Sequence, residues 1–186
     1  PSGFAGGLVT KEEKFRARYL LFTPIPYGEA GELVKQEGTV QAVRAENGSL
    51  LCCYDVELDA AGALVSWKVI GEEQEAEHEK WYAYLEQHVA RPRYNNQSYV
   101  NTLDKAAMDR FIEVTYERYK EAVGEEFDKT IPSIFTDEPQ MIHKSTLKYA
   151  TEKADVILPW TEDLPDTFGA AYPDEDLLRD LPELMW

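Results

Sequence analysis

The sequence predicts an α/β fold in which part of a parallel sheet carries an inserted antiparallel meander and ends in short helices. Three observations predict it: an amphipathic helix beginning at Asp104, a short apolar run from Thr130 to Thr136 directly after it, and three β-prone runs between Gly38 and Ile70. Helix followed by strand, with Asp137 and Glu138 just beyond the strand, is the αβ order of a parallel-sheet protein.

The opening Pro1-Ser2-Gly3-Phe4-Ala5-Gly6-Gly7 reads as a tight glycine-rich loop. It lacks the Lys-Ser/Thr ending and the spacing of a phosphate cradle. Thr10 and Glu13 have the spacing of a capping box, and the aromatic-rich stretch after them predicts a strand at about 17–22. The runs at about 39–45, 50–58 and 63–70 are separated by Glu46-Asn47-Gly48-Ser49 and Asp59-Ala60-Ala61-Gly62, which predicts a meander spanning about 38–76. Asn-Gly between apolar runs is a hairpin signal because both residues accept positive φ. The acidic stretch 72–79 reads as solvated surface. At 80–89 the aromatics fit a helix face, yet Trp81, Ala83 and Leu85 also alternate as in a strand, and Pro92 tilts the reading to strand at 80–87. In the next helix, Asp104 is the N-cap, Met108, Phe111, Ile112, Thr115, Tyr116, Tyr119, Ala122 and Val123 form the apolar face, and Gly124 lies past the end. Prolines at 165, 173 and 182 break the last third into short helices near 162–168 and 174–181.

At 186 residues the chain has the size of a single domain or a fragment of a larger one. Its 19 basic and 35 acidic residues leave a net charge of −16, which opposes binding to nucleic acid or to an anionic membrane. No run reaches the roughly 20 apolar residues of a membrane-spanning helix. No basic-then-apolar signal segment is present, which leaves a bacterial cytoplasmic, periplasmic or secreted location open. Cys52 and Cys53 are adjacent in a strand-like run, where their side chains point to opposite faces, so they read as packing residues. His78, His88 and His143 lack the spacing of a zinc site.

Asp137 and Glu138 at a strand end are the candidate chemical groups, since a carboxyl group partly desolvated by Phe135 or Trp160 can act as a general acid. The same two residues equally suit a helix cap or a partner for Arg91 or Arg93. Glycosidic bond cleavage generally uses two carboxyl groups flanking the bond, and adjacent strand residues point apart. A second carboxylate is therefore sought at Glu86, Glu162 or Asp163, or outside this sequence. Sugar rings stack on aromatics and hydrogen-bond to amides, and Tyr94-Asn95-Asn96-Gln97-Ser98-Tyr99 and Pro159-Trp160-Thr161 supply both. The ordinary alternative is that the polar loop is a turn and Trp160 a core residue.

An ordered series of motifs resembles large bacterial glycoside hydrolases of the α-L-rhamnosidase-like type. It comprises the 1–7 loop, Asn96-Gln97-Ser98-Tyr99-Val100-Asn101-Thr102-Leu103, the helix with Phe111, Thr115 and Tyr119, then Ile134-Phe135-Thr136-Asp137-Glu138-Pro139, Pro159-Trp160-Thr161 and Leu181-Pro182-Glu183-Leu184. The resemblance implies an incomplete (β/α)8 (TIM) barrel, Glu138 as general acid, and Asp137 as a neighbour that tunes charge or binds a cation. It further implies Asn96, Gln97, Tyr99 and Trp160 as sugar contacts, no required cofactor, and room for a bound calcium ion. Asn101 stands where such sequences often carry Asp, so no carboxylate role is carried to it. Because a barrel takes about 250 residues, the chain reads as the middle of a longer enzyme. It is expected to be inactive alone, and to associate with another copy or with the rest of its parent where its sheet edges are not covered. A non-catalytic carbohydrate-binding or interaction domain is the competing reading.

Overall fold

The computed structural model describes residues 5–35, 38–135 and 139–186. Seven strands are described: β1 (Arg18–Thr23), β2 (Ala30–Lys35), β3 (Gly38–Val43), β4 (Gly48–Leu58), β5 (Leu64–Ile70), β6 (Glu79–Gln87) and β7 (Val156–Trp160). The helices are α1 (Lys105–Val114), α2 (Tyr116–Val123) and α3 (Leu164–Ala171). The chain divides into two compact units, one of Pro1–Arg18 with Gln87–Ile142 and one of Tyr19–Glu86 with His143–Trp186.

The second unit is built on a five-stranded sheet in the order β5-β4-β6-β1-β7, with β4 antiparallel to both β5 and β6. Period-two alternation sends Trp81, Ala83 and Leu85 of β6 to one face, where they meet Leu20 and Phe22 of β1 and Tyr54 and Val56 of β4. Phe22 stacks on Trp81 at 4.9 Å between ring centroids, and Trp186 abuts Trp81 edge-on at 5.2 Å. The C-terminal segment closes this core. Leu177, Leu178, Leu181, Met185 and Trp186 pack against it, and Trp67 Nε1 donates to the Arg179 carbonyl at 2.9 Å. Burying one such large apolar side chain contributes about 2–3 kcal/mol.

The first unit gathers Val9, Phe15, Ala17, Tyr99, Val100, Ala107 and Val114 into its own core. An antiparallel bridge joins Arg16 to Val100, flanked by hydrogen bonds from Ala17 N to Tyr99 O and from Asn101 N to Phe15 O, both 2.8 Å. Asp104 caps α1, its carboxylate accepting the Ala106 N–H at 2.8 Å. The single helix expected to reach Gly124 is interrupted at Thr115 (φ −122°, ψ −81°). There the threonine hydroxyl donates to the Phe111 carbonyl, a back-bond that bends helices.

The architecture corrects the expected fold class. This is not a (β/α)8 or TIM barrel, complete or partial: the sheets are mostly antiparallel, and the helices follow six strands in succession instead of alternating with them. The αβ step that suggested a parallel sheet fails at its strand. Ile131 makes only an isolated bridge to Phe127, and 132–135 have no regular structure. Pro132 has no N–H to donate, and Phe135 is 85% exposed, so the apolar run lacks the burial a core strand needs. Thr136 lies outside the described residues.

The meander is redrawn too. β3 pairs with β2 in a separate two-stranded antiparallel ribbon, and only β4 and β5 form the expected hairpin. Asn47-Gly48 is no hairpin turn, since neither residue has positive φ. Gly48 instead lets two backbones approach: a Cβ there would stand 2.0 Å from the Leu85 carbonyl oxygen. Of the C-terminal helices, α3 begins two residues later than expected, and 174–180 holds turns ahead of a 3-10 turn at Leu181–Leu184.

Gly48→Ala is expected to lower the stability of this sheet by about 1–3 kcal/mol by forcing β4 off β6. Chemical denaturation checks it, and a variant as stable as the parent would show that the strands separate there at no cost.

Candidate functional site

Three sequence segments far apart in the chain meet within the first unit. The glycine loop forms a 3-10 turn at Ala5–Gly7, and Gly7 has φ +89°. Its missing side chain makes room for Gln97, whose Cγ would lie 2.9 Å from a Cβ on Gly7. In the polar loop, Asn95 and Asn96 both have φ 57°, the left-handed conformation that asparagine tolerates. The loop is closed by the Arg91–Gln97 bridge and by Ser98 Oγ donating to the His88 carbonyl at 2.7 Å. Asn96 is exposed and Gln97 half-buried. The third segment arrives at Gln140, whose N–H donates to Tyr99 Oη at 3.2 Å while its carbonyl accepts from Thr102 Oγ1 at 3.0 Å.

Asn96, Gln97 and Tyr99 are thus brought together in one unit. Tyr99 is 6% exposed, with its hydroxyl engaged by Gln140 and its ring 5.2 Å from that of Tyr94, so it positions the loop. Trp160 belongs to the other unit, at the end of β7, where it is 3% exposed in the core. Asp137 and Glu138 lie outside the described residues; Gln140, two positions further along the chain, is the nearest anchored residue. Glu162 and Asp163 are exposed at the start of α3. Cys52 and Cys53 are free thiols in β4, and burial raises both pKa values, that of Cys53 to about 11.

Glu86 has the most elaborate surroundings of the candidate carboxylates. Buried at the end of β6, it accepts hydrogen bonds from Tyr19 Oη at 2.5 Å, Tyr27 Oη at 3.1 Å and Asn47 Nδ2 at 3.4 Å. Burial first, then the neighbouring Glu86 charge, hold both tyrosine hydroxyls protonated well above their ordinary range. Its carboxyl oxygens are thus taken up by three side-chain donors from two neighbouring segments, at Tyr19, Tyr27 and Asn47.

Two further polar clusters in the second unit escaped the sequence reading. Arg44 and Asp155 form a buried ion pair to which Thr23 Oγ1 adds a 2.7 Å hydrogen bond. Asp55 on β4 is 2% exposed and accepts the backbone N–H groups of Glu77 and His78 at 3.1 and 2.9 Å, with Lys68 Nζ at 3.3 Å. Burial alone would raise its pKa, but the His78 and Glu77 N–H groups and the Lys68 ammonium outweigh it and hold the carboxyl below its ordinary value. No sequence signal marks these partners, because each pairing spans strands whose adjacency only the fold defines. Among the described residues, no group of three or more His, Cys, Asp or Glu side chains is placed to hold a metal ion.

Compared with protein-family models, with curated proteins and with solved structures, the chain matches none of them.

Tyr99→Phe leaves the Gln140 N–H without its acceptor and is expected to cost about 1 kcal/mol in thermal or denaturant unfolding. An unchanged stability would mean that water replaces the hydroxyl. Because the Asp55 pKa is lower in the folded state, its contribution is present above the unfolded value near 4 and is lost as pH falls through the folded one. Asp55→Asn should therefore lower stability at neutral pH and flatten its acid dependence below about pH 4. Parallel acid-unfolding curves for parent and variant would remove Asp55 from that account.

Proposed function

We propose that this chain is the carbohydrate-contacting segment of an O-glycoside hydrolase, with Glu138 as general acid and Asp137 beside it tuning charge or binding a cation. The observation that carries this reading is the convergence in the first unit: the glycine loop packs on Gln97, and Tyr99 and Thr102 anchor Gln140 directly after the Asp137-Glu138-Pro139 run. Hydrolysis of this kind needs a protonated carboxyl group at the leaving oxygen and fixed polar groups around the sugar hydroxyls. Asn96 and Gln97 present amides, which donate to and accept from hydroxyls at once. Gly7 leaves room for the Gln97 side chain, and Tyr99 ties the end of the loop to Gln140.

A second reading, a non-catalytic carbohydrate-binding domain, draws on the same loop. It is favoured by the absence, among the described residues of this unit, of a buried carboxylate to complete a pair.

Turnover of an aryl-glycoside panel by the parent protein, with Glu138→Gln beside it, tests the first reading. The variant is expected to lose at least 100-fold in kcat, about the lower end of a general acid's contribution, with its unfolding midpoint unchanged. Equal turnover in both removes Glu138 as the acid. Sugar binding by saturation-transfer NMR, weakened by Gln97→Ala and without turnover, selects the binding domain.

A further inference from the structure

Edge strands invite pairing with other strands unless charge, proline, a bulge or a covering segment blunts them. The edges described here differ in this respect. β5 carries Lys68 and a register shift opposite Glu57 and Leu58. β7 is bridged at Ile157 by Ser145. β2 carries Glu32. β3, Gly38-Thr39-Val40-Gln41-Ala42-Val43, has no charge, no proline and an unbroken register with β2. Val40 is 40% and Val43 61% exposed. Among the described residues no backbone hydrogen bond satisfies its outer edge.

We propose that β3 is a self-association edge, pairing antiparallel with β3 of a second copy to join the two ribbons into a four-stranded sheet. The rest of the molecule argues for this partner. With a net charge of −16, most surfaces of two copies repel, and an uncharged six-residue edge is where they meet without opposing carboxylates. The strand also complements itself. A twofold axis at Gln41 sets Val40 opposite Ala42 of the second copy and Thr39 opposite Val43, with the two Gln41 amides facing each other. Apolar and β-branched cross-strand pairs of this kind stabilise sheets. One short strand pair buries far less than a standard interface, so the dimer is weak and concentration-dependent. Its salt dependence is opposite to that of an ion-paired interface, because added salt screens the repulsion between the acidic bodies.

Gln41→Lys and Gln41→Cys test the proposal by sedimentation velocity over rising protein and salt concentrations. In the register with β2, residue 41 faces Glu32, so the introduced ammonium gains a partner inside its own ribbon while opposing its counterpart across the twofold. The parent is expected to dimerise increasingly with concentration and with salt. Gln41→Lys is expected to stay monomeric with an unchanged circular dichroism spectrum. Gln41→Cys, treated with oxidised glutathione as the two-electron oxidant, should form a disulfide-linked dimer, because directly opposed residues place their Cα atoms about 4.5–5.5 Å apart. A parent that stays monomeric throughout, or a dimer that Gln41→Lys leaves intact, overturns the proposal. Failure of the glycosidase reading would leave it untouched, because no sugar enters the measurement.

Discussion

The second unit depends on what β6 must do as the central strand of its sheet, between β4 and β1. One face has to bury Trp81, Ala83 and Leu85 against Phe22 and Tyr54, and the other carries Tyr82, Tyr84 and Glu86. A strand burdened on both faces cannot slip by one residue without exchanging a tryptophan for a tyrosine or a leucine for a carboxylate. That requirement fixes the β4 register, and with it the close approach at Gly48. It also explains why Glu86 is wrapped in phenolic hydroxyls: a carboxylate at the end of a buried face must find donors, and Tyr19 and Tyr27 provide them.

The first unit is organised differently, around backbone connections instead of a large aromatic core. The Arg16–Val100 bridge ties the N-terminal segment to the chain just after the polar loop, the Arg91–Gln97 bridge closes that loop, and α1 adds Ala107 and Val114 to the same core. Such a unit presents side-chain amides on a frame of turns.

Period and punctuation made parts of this structure legible from sequence. Alternation of Trp81, Ala83 and Leu85 identifies β6, and Asp104 marks the first residue before α1, because both signals are local. Pairing is not local. Nothing in 38–58 says that β3 turns back to β2 instead of forward to β4, and the Asn-Gly between β3 and β4 points the wrong way because its glycine serves a backbone contact and not a turn. The run after α2 misled for a related reason: Ile131, Ile134 and Phe135 are as apolar as a core strand, yet burial depends on what lies opposite. Within the first unit, the polar loop at 94–99 was legible as a loop by residue type, whereas the contacts of Gly7, Thr102 and Gln140 emerge only from the fold.

The Arg44–Asp155 pair carries a consequence for how this sequence is free to drift. Each residue is the other's buried counter-charge, so replacing either one alone is expected to cost several kcal/mol and a matched apolar pair at both positions far less. Substitutions at the two positions are therefore expected to be non-additive, the second change restoring part of what the first one loses. Thr23, bonded to both, softens the loss of either one and is itself left without those two partners when both are replaced.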